Sequence, residues 1–342
     1  VTKGVMLTQA NLSTNMQQLR SWMPEFENGK ERLLAIFPFF HSAGFTGLQN
    51  LGLYSASTLI LVPRPDPNII IDQIRRFKPT FVPGVPTIFV GLLNNPRFRR
   101  LNLRFIKHFI AGAAPLSMQT VQDLNEMTGA VIANIYGMTE TSPMATATPP
   151  SGKQKADTVG LPLPNTDLKI VDVETGTREM PLGEPGEICF KGPQVMQGYY
   201  KKPEETAAVL KDGWLYTGDI GVLDEDGFLT IVDRKKDMII ASGYNIYPKE
   251  IDEVLFEHPK VLEACTIGIP DEYRGETVKA FVVRKPGETL EAEEVIRFCK
   301  ERLAAYKVPK SIEFLEELPK SAVGKVLRRE LKEREIKARA GR

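Results

Sequence analysis

The chain has 342 residues, of which 42% are hydrophobic and 25% charged, the balance of an ordinary folded protein. That excludes a disordered tail, a collagen-like chain and a coiled coil, and the length calls for two folded units or three. Forty-four basic against 43 acidic residues leave a net charge of +1, so overall charge makes no case for nucleic acid or an anionic membrane as partner. Cys189, Cys265 and Cys299 stand far apart, odd in number and without any CxxC pair. They argue against a disulfide framework or a zinc site and for a reducing, cytoplasmic setting. No basic segment leads into an apolar stretch at the start, so no signal peptide is expected.

From residue 33 to about 137, short apolar runs alternate with amphipathic ones. Leu33–Pro38, Thr58–Val62, Thr80–Val82, His108–Ala111 and Val131–Tyr136 read as strands, and Asn68–Phe77, Pro86–Leu93 and Ser117–Met127 as helices. Such alternation predicts right-handed βαβ units and a mostly parallel sheet, whose ligands sit at the carboxyl ends of the strands. The loops after Phe37, Ile110 and Ile135 are therefore the places to look. Residues 33–63 carry no Lys, Arg, Asp or Glu, but His41, Gln49, Asn50 and several glycines interrupt them. They are expected to form strand, loop, buried helix and strand rather than a membrane span.

Residues 151–233 hold eleven of the 27 glycines, in turn-like pairs such as Asp212-Gly213 and Asp226-Gly227 between short β-branched or aromatic runs. A small antiparallel β unit, barrel-like, is the expectation. From Asp237 the predicted order is strand, helix 248–257, strands 261–268 and 277–283, helix 291–303, a short strand near 312–315 and a basic helix from about 324. That is an α+β unit with its own core. The fold class is thus α/β with a smaller α+β unit, divided as 1–233, a hinge at 234–236, and 237–342.

Three segments can carry chemistry. Tyr136-Gly137-Met138-Thr139-Glu140-Thr141 follows an apolar strand, and a hydroxyl beside a carboxylate suits a hard cation bridging phosphates; a plain turn with a capping Thr fits these six residues equally well. In Gly213 to Asp219, the Asp beside a glycine could accept hydrogen bonds from ribose hydroxyls or form an Asx-turn. In Gly324-Lys325-Val326, Lys325 could neutralise phosphate charge during transfer or simply open a helix in solvent. The GxxxxGK[ST] pattern is absent, since Val326 follows Lys325. The basic end, Lys320, Lys325, Arg328, Arg329, Lys332, Arg334, Lys337, Arg339 and Arg342, is diluted by Glu330, Glu333 and Glu335. A solvated helix and peripheral contact with anionic lipid both remain open there.

In order, Thr2 to Val5, Pro38 to His41, Gly112 to Pro115, Tyr136 to Glu140, Gly186 to Ile188, Trp214 to Asp219, Asp233 to Asp237, Ser242 to Pro248 and Lys320 to Lys325 resemble the adenylate-forming superfamily, which includes acyl-CoA synthetases and luciferases. The runs Gly192–Tyr200 and Val232–Ile239 resemble bacterial long-chain fatty acid–CoA ligases. The resemblance implies a two-step reaction. A fatty acid carboxylate attacks Mg·ATP to give acyl-AMP and pyrophosphate, and coenzyme A then expels AMP.

By that resemblance, Thr139 and Glu140 hold phosphate and Mg²⁺, with Lys325 as the third catalytic residue. Gly112, Ala113, Ala114, Tyr136 and Gly137 line the nucleotide pocket, Asp219 and Arg234 take the ribose side, and His41 with Gly137 borders the acyl site. Ser242, Gly243 and Tyr244 would meet coenzyme A after rotation about Lys236. The implied partners are fatty acid, ATP and coenzyme A, with no nucleic acid. Family members carry a Ser/Thr/Gly-rich phosphate loop just before the Lys-Gly-Val that matches Lys3-Gly4-Val5, so roughly the first third of a member is expected upstream. The alternatives are an acyl-AMP ligase serving a carrier protein, a ligase for aryl or medium-chain acids, and a non-catalytic nucleotide- or acyl-binding piece.

Overall fold

A computed structural model describes residues 3–112, 116, 118–155, 157–320 and 326–340. The chain forms two compact units. Val1–Thr217 and Gly221–Ile231 make the first, and Gly218–Ile220 with Val232–Arg342 the second.

The first unit is built on a seven-stranded sheet. Its strands lie in the order Thr58–Leu61, Arg32–Ala35, Phe81–Gly84, His108–Ala111, Val131–Gly137, Met144–Ala147 and Leu161–Pro162. The first five are parallel, as the alternating pattern predicts, and the last two are added antiparallel. Helix Pro67–Phe77 shows how the sequence enforces this. Asp66 accepts the Asn68 and Ile69 N–H groups, Pro67 opens the helix, and Lys78 closes it in the left-handed conformation. Ile70, Ile71 and Ile74 fall on one face and are fully buried with Phe89, Leu92, Val82 and Phe109.

Residues 33–63 form the strand, the short helices Ser42–Gly44 and Leu51–Tyr54 joined by a π-helical turn, and a second strand. Among the described residues no helix is long and apolar enough to cross a membrane.

Helix Gln9–Trp22 is a finding that hydrophobic periodicity did not anticipate. Its buried face is Asn11, Asn15, Gln18 and Leu19. Amides are buried only when bonded, and these grip distant backbone. Asn15 donates to the Met144 carbonyl at 2.7 Å and accepts the Met144 N–H at 3.1 Å. Asn11 donates to the Pro193 and Val195 carbonyls, and Gln18 to that of Pro164.

The glycine-rich stretch forms a five-stranded sheet in the order Leu210–Lys211, Trp214–Leu223, Gly186–Lys191 and Asp167–Val171, with Leu229–Arg234 also paired to Trp214–Leu223. In the second unit the path is Tyr244–Ile246, Ile239–Ala241, Gly275–Arg284 and Val261–Asp271, with Ser311–Leu315 added parallel to Gly275–Arg284. The single strand expected after Asp237 is in fact the hairpin Ile239–Ala241 and Tyr244–Ile246. Alternation along Gly275–Arg284 splits the core in two. Val278, Ala280 and Val282 face helices Pro248–Phe256 and Ala292–Lys300, while Phe281 and Val283 pack with Cys265, Ile267 and Leu331 of the terminal helix Arg328–Ala340.

Candidate active site

In the first unit, strand Val131–Gly137 delivers the chain to its carboxyl end, where Thr139–Thr141 form one 3₁₀ turn. Gly137 is required there by crowding, because a Cβ would stand 1.9 Å from the Pro143 carbonyl oxygen. The Thr141 hydroxyl accepts the Met138 N–H at 3.0 Å and donates to the Pro143 carbonyl at 2.6 Å, and the Ser142 hydroxyl donates to the Gln194 carbonyl at 2.8 Å. Thr141 and Ser142 thus anchor the turn from inside, and Thr139 projects into solvent.

The Thr139 hydroxyl lies 3.4 Å from that of Ser42. The neighbouring His41 caps the helix that begins at Ser42, its Nδ1 accepting the Ala43 N–H at 3.2 Å, and its ring centre is 6.5 Å from that of Phe37. Glu140 is half-buried. Its Oε1 accepts the Tyr199 hydroxyl at 2.8 Å, and that is the one hydrogen bond its carboxylate receives among the described residues. Burial and the adjacent carboxylate push the Tyr199 hydroxyl well above its ordinary pKa, so it remains a donor. The Lys3 ammonium sits 4.6 Å over the Tyr199 ring.

Behind the turn, the Tyr136 ring packs 6.0 Å from Phe190, and the buried Gly112 donates its N–H to the Gly84 carbonyl. Ala113 and Ala114 lie outside the described residues. The first unit therefore gathers Thr139, Glu140, Ser42 and His41 near one strand end. Tyr199 and Ser42 had received no role from the sequence. Tyr199 reaches Glu140 because strand Gly198–Tyr199 pairs with Val5–Met6, an arrangement no local pattern announces.

In the second unit, Asp219 is buried and its Oδ1 lies 3.4 Å from Arg234 Nε. The adjacent Gly218 carbonyl accepts the Lys235 N–H at 2.9 Å, which holds the two segments together. Asp233 accepts the Arg234 N–H and, at 2.7 Å, the Lys249 N–H in the first turn of helix Pro248–Phe256, where a carboxylate suits the exposed N–H groups. Arg328 stands 3.7 Å from Asp233 and is bonded to the buried Asp252. Burial raises the Asp252 carboxyl to about 6 against the pull of Arg328.

Lys236 is exposed in the turn after Arg234. Ser242 and Gly243 form the two-residue turn of the hairpin with φ of +51° and +80°, which is why a glycine stands there. A Cβ at Gly243 would meet nothing within 4 Å, so its surroundings are open. Arg274 donates to the Ser242 hydroxyl at 3.3 Å, and the half-exposed Tyr244 stacks on Tyr306 with ring centres 4.5 Å apart. Lys325 lies outside the described residues. The flanking Lys320 and Val326 pair with each other, and Lys320 is bonded to Glu263.

Whether the first-unit turn fits a divalent cation can be judged from its donors. Mg²⁺ commonly takes one or two protein carboxylates and completes its shell with phosphate and water oxygens. Glu140 offers Oε2 beyond the oxygen that Tyr199 engages, with the Thr139 hydroxyl adjacent and exposed. No cluster of three or more His, Cys, Asp or Glu suited to a metal occurs among the described residues. The donor set therefore fits a cation brought in with phosphate, not one held by protein ligands alone.

The AMP-binding enzyme family model matches residues 1–200, and that of the AMP-binding enzyme C-terminal domain matches residues 250–325. Among curated relatives, the long-chain-fatty-acid–CoA ligase of Bacillus subtilis is 49% identical over 97% of this chain and 59% of its own length. That of Yersinia pestis is 43% identical over 98% of the chain and 60% of its own length. Among solved structures, ATP-bound MatB from Rhodopseudomonas palustris matches 97% of the chain and 65% of its own at a TM-score of 0.91 and 36% identity. The o-succinylbenzoate coenzyme A synthetase of Bacillus subtilis, in complex with ATP and magnesium ion, matches 96% and 67% at 0.86 and 33% identity. The chain spans about 60% of the length of the curated relatives it matches. With family matches over both parts and relatives this similar, the chain belongs to the AMP-binding enzymes.

Proposed function

We propose that this chain is the greater part of an AMP-forming fatty acid–CoA ligase that activates a long-chain fatty acid with ATP and passes the acyl group to coenzyme A in the cytoplasm. The observation that carries the reading is the Thr139–Glu140 turn, two oxygen donors presented at the carboxyl end of a central strand in a chain of this family. The acyl class comes from the names of relatives 41–49% identical to it.

In this reading Glu140, oriented by Tyr199, would hold Mg²⁺, and Thr139 a phosphate oxygen; the ion supplies charge neutralisation at the phosphates. Gly112, Ala113, Ala114, Tyr136 and Gly137 form the adenine side. Asp219 accepts the ribose hydroxyls, and Arg234, by pairing with Asp219, keeps its carboxylate oriented. His41 borders the acyl carboxylate. Lys325 stabilises charge that gathers on the α-phosphate as the carboxylate attacks. In the second step residues 237–342 would turn about Lys236 and present Ser242, Gly243 and Tyr244 to coenzyme A. The open space beside Gly243 and the exposed Tyr244 face are what support that assignment.

The test uses the complete protein, half-reaction by half-reaction. Palmitate should drive pyrophosphate release from ATP, with palmitoyl-CoA formed on adding coenzyme A. Lys325→Ala should slow adenylation by about 10²-fold or more, the size expected for one charge-stabilising donor, and leave thioester formation from supplied acyl-AMP much less changed. Preference for aryl acids or transfer only to a carrier protein would overturn the acyl or acceptor assignment. Near wild-type adenylation by the variant would remove Lys325 from the site.

A further inference from the structure

The basic residues are far from evenly spread. Residues 64–107 hold nine Lys or Arg and two Asp, a net charge of +7, which leaves 35 basic against 41 acidic residues elsewhere. The terminal helix, the obvious basic segment in the sequence, has its cations largely tied up. Arg328 is bonded to Asp252, Arg329 to Glu333, Lys332 to Glu276 and Arg334 to Glu313.

Around helix Pro67–Phe77 the opposite holds. Arg97 pairs with Asp72 at 2.5 Å and reaches Asn68, which holds the segment 96–104 alongside the helix's outer face. Arg75 and Arg76 stand about one turn beyond Asp72. Arg75, Arg76, Lys78, Arg99, Arg100 and Arg104 are all exposed, and none has a carboxylate partner among the described residues. Phe77, 40% exposed, sits among them with the Arg76 guanidinium 4.9 Å over its ring.

We propose that this face, the outer side of helix Pro67–Phe77 with the segment through Arg104, docks the protein on an anionic lipid bilayer. Six unpaired cations complement a negative surface, and each basic group near such a surface adds to attraction that salt screens. An exposed aromatic ring flanked by arginines is suited to the boundary between headgroups and acyl chains, with the ring inserted and the guanidinium groups at the phosphates. The choice of lipid over other polyanions draws on the proposed acyl substrate, which dissolves in bilayers.

The test is co-sedimentation of the complete protein with phosphatidylcholine vesicles, with and without about 30 mol% phosphatidylglycerol as the anionic lipid. Binding is expected to the anionic vesicles only and to be lost near about 0.5 M salt. The triple variant Arg75→Glu, Arg76→Glu, Arg100→Glu should bind at least about 10-fold more weakly while its acyl-CoA synthesis from fatty acid in detergent is unchanged. Phe77→Ala should lose a smaller part of the binding. No binding by the wild type, equal binding by the triple variant, or displacement of vesicles by lower concentrations of duplex DNA than of free anionic lipid would each overturn the proposal. Vesicle binding by a protein that makes no acyl-CoA would sink the catalytic reading and leave this surface standing.

Discussion

Two carboxylates, one in each unit, show how burial and partner decide what an acid can do. Glu140 is half-buried on a one-turn loop, and its described partner is a neutral hydroxyl, so its charge is not cancelled by a neighbouring cation and one oxygen remains to be offered. Asp252 is buried on helix Pro248–Phe256 and bonded to Arg328, while its Oδ1 and Arg328 Nε have no hydrogen-bond partner among the described residues. The Glu140 environment suits an external cation, and the Asp252 environment fastens the first turn of the terminal helix to its own unit. Asp219 stands between these cases, buried like Asp252 but paired with an arginine that is itself partly exposed.

The comparison can be broken most forcefully at Asp252. Asp252→Ala leaves the Arg328 charge largely buried without its main partner, which should cost about 3 kcal/mol or more of the second unit's stability. Urea unfolding followed by circular dichroism measures it, and a loss below about 1 kcal/mol would mean that the pair is solvated in practice. Glu140→Gln should act the other way round. Stability should change by less than about 1 kcal/mol, while Mg·ATP use falls by about 10²-fold, because the amide keeps the shape but not the charge that a hard cation prefers. Unchanged Mg²⁺ dependence in that variant would place the metal elsewhere.

The smallest effect is a titration. The Asp252 carboxyl is raised to about 6, so in the folded protein it binds its proton more tightly than in the unfolded chain. This site's contribution to stability is therefore greatest below about pH 4 and declines as pH climbs to about 6. Carboxyl-detected NMR should show its midpoint near 6, and a midpoint below about 4 would mean that the attraction of Arg328 outweighs burial.

Much of this molecule was legible before any coordinates. The strands and helices of the parallel sheet follow from apolar runs and amphipathic periodicity, and helix Pro86–Leu93 and strand His108–Ala111 have the predicted ends. The ordered motifs carried the family, and they marked Thr139 and Glu140 because a hydroxyl and a carboxylate after a strand have a readable chemistry. Helix Gln9–Trp22 escaped because its buried face is made of amides, so the apolar period that betrays a helix is missing.

Tertiary structure alone decided the partners. Tyr199 meets Glu140 across 59 residues, Asn15 meets Met144 across 129, and Arg328 meets Asp252 across 76. It also decided that Gly137 answers to a crowding carbonyl and Gly243 to a positive φ, a difference two identical letters cannot express. Most of all, it decided which cations are free. Composition counts the arginines of the terminal helix and those around Phe77 alike, yet the first set faces carboxylates and the second faces solvent. A side chain's period is set by its near neighbours in sequence, whereas its charge is cancelled or left available by whatever the fold brings within a few ångströms.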